Sequence, residues 1–227
     1  MNFLAHYYVG TRLQLSIAPL PAYTVGTSLP DLLPLVAPRT RLRLPLPSQS
    51  LMGYSDHHLA LTAGICSHLR ADAAFHKSPG FGDAQVKAGL ILSKAGFSGI
   101  RVRRFFISHI LVELALDAAL LRSAPYLGEE FYAAFSAADF ESITQWTVAA
   151  TARPLPDLSS VLERFANSRY LLQYLSDEGV AQGLSRLCIR ARQDSFEGEN
   201  FTRLTDVVGQ IVEQLHPRIA EILTEAA

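Results

Sequence analysis

The sequence predicts an all-α fold, a single-domain multi-helix bundle of seven to nine helices. Three observations carry that prediction. Apolar residues recur at three- and four-residue spacing along most of the chain. No stretch alternates apolar and polar residues as a half-buried strand would. Serine, aspartate, glycine and proline fall at intervals that cap or break helices of ordinary length.

Residues 1–50 are the irregular part. Pro19, Pro21, Pro30, Pro34, Pro38, Pro45 and Pro47 exclude long helices there, because proline removes an amide donor and clashes with the preceding turn. A short helix from Asn2 and a short turn around Asp31-Leu32-Leu33 are expected. From Ser55 or Asp56, either of which can cap a helix, Leu59, Ala63, Cys66, Leu69, Ala73 and Phe75 recur at helical spacing. Ser78-Pro79-Gly80 is expected to stop that helix. Asp83 to Ala95 reads as a short helix ending near Gly96. Ser98 to about Arg122 reads as a long helix, apolar nearly all round and therefore buried.

Five more helices follow: Gly128 to Phe135, Asp139 to Ala150, Leu158 to Leu175, Glu178 to Arg192 and Phe201 to Leu223. Pro125, Asp139, Pro154, Pro156, Asp177 and Gly198 separate them, and Pro217 should kink the last. We read 1–227 as one domain. In it 1–50 contributes ligands, 51–122 carries the ligand-bearing helices and 123–227 is a helical packing half.

Composition narrows the function classes. Charged residues are 18% of the chain, against about 25% in an average domain, and hydrophobic residues are 49%. That excludes disorder. Lys plus Arg is 20 and Asp plus Glu is 21. So balanced a chain has no evident nucleic-acid-binding patch and no strong attraction to anionic membranes. Sparse surface charge makes a homodimer a reasonable expectation. Cys66 and Cys188 stand in no metal or redox spacing, so buried free thiols in a reducing compartment are expected. No signal-peptide pattern opens the chain. No apolar run reaches spanning length, since His109, Glu113 and Asp117 interrupt Phe105 to Leu121. A cytoplasmic protein is expected.

Chemistry concentrates on two stripes. His109, Glu113 and Asp117 stand at i, i+4 and i+8, and so do His68, Asp72 and His76. Each set projects from one helix face among apolar neighbours. Burying unpaired charge is costly, so such groups are paired, neutralised or metal-bound. Facing helices that carry inward histidines and carboxylates are how bundles build metal sites. His6 in an apolar hexapeptide, Asp31, and His57 and His58 at a helix start complete the set. Six of the seven histidines lie in the first half. The expected ligands are His6, Asp31, His58 (or His57 in its place), His68, Asp72, His76, His109 and Glu113. Asp72 and Asp117 are the candidate general bases, with Asp117 also suited to orienting a ligand histidine. The expected cofactor is one or two divalent ions, zinc, manganese or iron. Paired ions of this kind clamp both oxygens of a phosphoester displacement. Arg70, Arg101, Arg103 and Arg104 are candidates to neutralise a phosphate, and Tyr7, Tyr8 and Tyr54 to shape a pocket.

Met1-Asn2-Phe3-Leu4-Ala5-His6 resembles the opening of acyl carrier protein phosphodiesterases. The likeness continues through Gly26 to Leu32 and through Gly64-Ile65-Cys66-Ser67-His68-Leu69-Arg70-Ala71-Asp72. The order His6, Asp31, His57 or His58, His68-x-x-x-Asp72, His76 and His109-x-x-x-Glu113 is also similar to the zinc-dependent phospholipase C superfamily. These resemblances imply an all-helical metal-dependent hydrolase with a phosphodiester substrate. Two departures stand out: Phe75-His76 where the first family has a Thr-Asp pair, and Ser108-His109 where it has Asp-His. Secreted members of the second use an N-terminal tryptophan as a ligand; Met1 stands there here, so at least one metal site should differ. The competing expectation is a non-catalytic helical binding or scaffold protein, with closed polar stripes or a deep lipid or acyl pocket.

Overall fold

The computed structural model describes residues 1–14, 20–46, 55–97, 104–191 and 196–227. Among these the regular structure is all helical, with no strand. The α-helices are α1 (Phe3–Tyr8), α2 (Pro21–Gly26), α3 (Leu29–Val36), α4 (Asp56–Phe75), α5 (Pro79–Leu92) and α6 (Arg104–Ser123). They continue as α7 (Tyr126–Ser136), α8 (Phe140–Thr151), α9 (Leu158–Ser168), α10 (Asp177–Arg190), α11 (Gly198–Leu215) and α12 (Ile219–Thr224). Wider π turns extend α1 over Val9–Gln14 and α5 over Ser93–Phe97. The expected starts at Ser98, and the residues Tyr54, Arg101 and Arg103, lie outside the described residues.

The segments outnumber the seven to nine expected because several breakers act more sharply than their spacing suggests. The turn expected at Asp31 is a helix: Pro30 lies in the first turn of α3, where no intrahelical donor is lost, and Pro34 comes only two residues before its end. Ser78-Pro79-Gly80 does not just stop α4. The Ser78 hydroxyl accepts from the Phe81 amide at 3.2 Å and caps α5, with Pro79 in its first turn. The helix expected from Leu158 to Leu175 breaks at Arg169, whose φ of 46° is left-handed, and resumes as a 3₁₀ turn over Tyr170–Leu175. Pro217 divides α11 from α12 through a 3₁₀ turn.

The chain divides into two compact units, each built from separate stretches of sequence. The first comprises Met1–Ala5, Ala74–Leu127 and Leu171–Ala226. At its centre α6 packs on α5, α10 and α11. Leu111, Val112, Ala115, Leu116, Ala118, Ala119 and Leu121 are fully buried on all sides of that helix. The second comprises His6–Ala73 and Gly128–Tyr170. Its core is aromatic: Phe131, Phe135 and Phe165 pack edge to face or tilted around Tyr7 and Tyr132. Here α9 packs on α3 and α8.

Candidate metal centre

Among the described residues each unit holds one group of two histidines and a carboxylate. In the second unit these are His6, Asp31 and His68, whose ligating atoms all lie within 4.8 Å of one another. His6 comes from α1, Asp31 from the first turn of α3 and His68 from the middle of α4. Close contact of α2 with α4 makes this convergence possible. A Cβ added at Gly64 would sit 2.2 Å from the Tyr23 carbonyl oxygen, and one added at Gly26 would sit 2.4 Å from that of Leu61. Only glycines allow that approach. The His68 Nδ1 then lies 2.8 Å from the Thr27 carbonyl oxygen.

The His6 and His68 rings stack with centroids 3.7 Å apart. His68 Nε2 lies 3.7 Å from an Asp31 oxygen, and His6 Nε2 lies 3.7 Å from an Asp72 oxygen. The imidazoles are buried, whereas the two carboxylates are roughly two-fifths exposed. Both ring nitrogens of His6 are buried without a hydrogen-bond partner. Burial, reinforced by the neighbouring His68, pushes the His6 imidazole down to about 3. It is therefore a neutral donor at physiological pH, the form a metal requires.

The first unit brings together His76, His109 and Glu113. His76 follows the last residue of α4, and the other two lie one turn apart on α6. His76 Nε2 is 3.1 Å from both His109 Nε2 and Glu113 Oε1, and His109 Nε2 is 3.2 Å from the same oxygen. The two rings stack with centroids 4.8 Å apart and pack edge-on against buried Phe81. The Met1 amine also reaches Glu113 Oε1, at 3.2 Å. Burial pushes the Glu113 carboxyl up. The Met1 ammonium and the hydrogen bonds from His109 and His76 outweigh burial, and the net shift is well below the usual carboxylate range.

Two imidazole nitrogens and one carboxylate oxygen at these distances make a donor set that a single divalent cation could share. The centre of such a triangle lies about 1.8 Å from each corner (the side divided by √3), just inside the ~2.0–2.2 Å of metal–nitrogen and metal–oxygen bonds. His76, His109 and Glu113 are thus close enough together to serve as ligands of one ion. The donor set suits zinc, iron or manganese.

Several expected residues fall elsewhere. Asp117 joins neither group. It is fully buried, and its oxygens accept from Asn2 Nδ2 at 2.8 Å, the Leu4 amide at 3.1 Å and the Ala5 amide at 2.8 Å. It thus caps α1 in place of a local N-cap. Burial pushes its carboxyl up to about 7 against the pull of those donors. Its oxygens are engaged by the N-terminal turn of α1 and face neither group of ligands. His58 joins neither group among the described residues; its Nε2 lies 3.1 Å from Ser142 Oγ on α8. Arg70 is exposed. Tyr7 is a core residue whose hydroxyl donates to Glu130 at 2.5 Å. Glu130 also accepts two hydrogen bonds from Arg12.

Residue types and spacing did not point to the Thr27 carbonyl, the Met1 amine or Phe81, because a backbone oxygen, a chain terminus and a packing ring look alike in any sequence. A groove of about 440 Å³ lies on the first unit, lined by Lys87, Leu90, Ile91, Lys94 and Gln214. It is open and holds neither group of ligands. No family model, curated protein or solved structure matches this chain.

Proposed function

We propose that this chain is a metal-dependent hydrolase acting on a phosphodiester. The observation that supports it most is the closure of His76, His109 and Glu113 to 3.1–3.2 Å of one another. A second grouping of the same composition at His6, Asp31 and His68 adds to it. Bound there, a divalent ion would polarise phosphoryl oxygens and lower the pKa of a water toward neutrality.

The chain's own residues divide the remaining work. His6 and His68 offer buried ring nitrogens, and burial holds the His6 imidazole neutral. Asp31 and Glu113 supply balancing negative charge, and Asp31 stands in the first turn of α3, where the helix dipole favours a carboxylate. Asp72 is the candidate general base. It is partly exposed, lies 3.7 Å from His6 Nε2 and is not needed to complete either group. The resemblances put a phosphopantetheinyl or glycerophosphoryl diester first among substrates.

Elemental analysis of protein purified without a metal-affinity tag tests this reading, together with His68→Ala and His109→Ala. About two equivalents of a transition metal are expected, one lost in each variant, with turnover of bis(p-nitrophenyl) phosphate lost in at least one. Protein that holds no metal and takes up none from zinc, manganese or iron solutions would refute it. Metal bound without turnover of any diester would favour the non-catalytic binding protein instead.

A further inference from the structure

We infer that Gly26, Thr27 and Gly64 are positioning residues that make His68 a metal-ready ligand by fixing its tautomer. The inference rests on the metal reading of the His6, Asp31 and His68 group. A carbonyl oxygen can only accept. His68 Nδ1, 2.8 Å from the Thr27 carbonyl oxygen, must therefore carry the proton. In a neutral ring that leaves Nε2 bare, and Nε2 is the atom that faces Asp31 at 3.7 Å. Histidines that bind metals are commonly oriented by such a hydrogen bond from the opposite nitrogen. Among the described residues neither ring nitrogen of His6 meets a backbone carbonyl in this way; its Nε2 faces an Asp72 oxygen at 3.7 Å. The two rings stack with centroids 3.7 Å apart.

The carbonyl's position comes from the glycine pair. With Cβ atoms 2.2 and 2.4 Å from opposing backbone oxygens, alanine at Gly64 or Gly26 would force α2 away from α4. Thr27 directly follows α2, so its carbonyl would leave His68. The Thr27 side chain is not the agent; its hydroxyl donates to Thr24 O at 2.8 Å.

Two measurements test this. The first is long-range ¹H–¹⁵N NMR of the imidazole nitrogens in metal-free protein, assigned by His68→Gln. His68 should show a protonated Nδ1 and an unprotonated Nε2. The opposite tautomer, or rapid exchange between the two, would overturn the proposal. The second is zinc and cobalt binding to Gly64→Ala and Gly26→Ala, with Gly82→Ala as control, since an added Cβ there meets nothing within 4 Å. Affinity at the His68 site should fall about 10–100-fold, the usual loss when an orienting partner is removed. The His76, His109 and Glu113 site should keep its affinity. Equal loss at both sites would mean a general unfolding effect, and unchanged affinity at both would mean the crossing positions nothing; either overturns the inference. Wild-type protein with the expected tautomer but no metal uptake would sink the metal reading while upholding the tautomer.

Discussion

Replacing Asp117 by asparagine should change how stability depends on pH. In the native protein burial raises this carboxyl from 3.8 to about 7, while three N–H donors pull the other way. The folded state therefore keeps a proton that the unfolded chain gives up near pH 4. The stability this group contributes is fully present below pH 4 and lost as pH rises through about 7. Each pKa unit of difference is worth about 1.4 kcal/mol, so the loss totals about 4 kcal/mol over this window. Asparagine has nearly the same shape and does not titrate. Urea unfolding of metal-free wild type and Asp117→Asn at pH 4.5, 5.5, 6.5 and 7.5 isolates the effect, because shared titrations cancel in the difference. The variant should gain on wild type by roughly 1.4 kcal/mol per pH unit up to about pH 7, then level off. A difference independent of pH would refute the reasoning: the three donors would then be holding the carboxylate ionised throughout.

Other outcomes follow from the same contacts. Tyr7→Phe should cost about 1 kcal/mol, the net worth of one hydrogen bond, because it removes the hydroxyl donated to Glu130; chemical denaturation reads it. Glu130→Ala should cost more, about 2–3 kcal/mol, since it leaves the buried Tyr7 hydroxyl without its acceptor and Arg12 without its bidentate partner. Asp139→Ala should cost about 1 kcal/mol by removing the acceptor that caps α8 at the Ser142 amide, and Tm should fall by a few degrees. Added zinc should raise the Tm of wild type through preferential binding to the folded state. His76→Ala and His109→Ala should each lose part of that rise, in proportion to the site they remove.

Much of the candidate centre was legible in the chain. Each i, i+4, i+8 stripe puts a histidine and a carboxylate on one helix face, but the structure splits both stripes: His68 groups with His6 and Asp31, while His76 groups with His109 and Glu113. Asp117, on the same stripe as His109 and Glu113, joins neither group. One further helical turn carries it from the half-exposed end of α6 into the fully buried interior, where the nearest unsatisfied donors are the first amides of α1. Periodicity gives direction around a helix but not depth along it, so spacing could not separate a capping carboxylate from a general base. His57 and His58 likewise sat beside Asp56 in sequence, yet His58 faces Ser142, 84 residues away.

The all-helical fold, the cap at Asp139 and the burial of α6 all follow from local chemistry: apolar period, a side-chain oxygen within reach of a first-turn amide, and the absence of strand alternation. Those are properties of short stretches, so the sequence alone determined them. Only the tertiary structure decided which histidine met which carboxylate, that a carbonyl at Thr27 faces His68, and that two glycines 38 positions apart touch. These depend on where backbones cross, and a crossing is a balance of packing over many residues that no single stretch encodes.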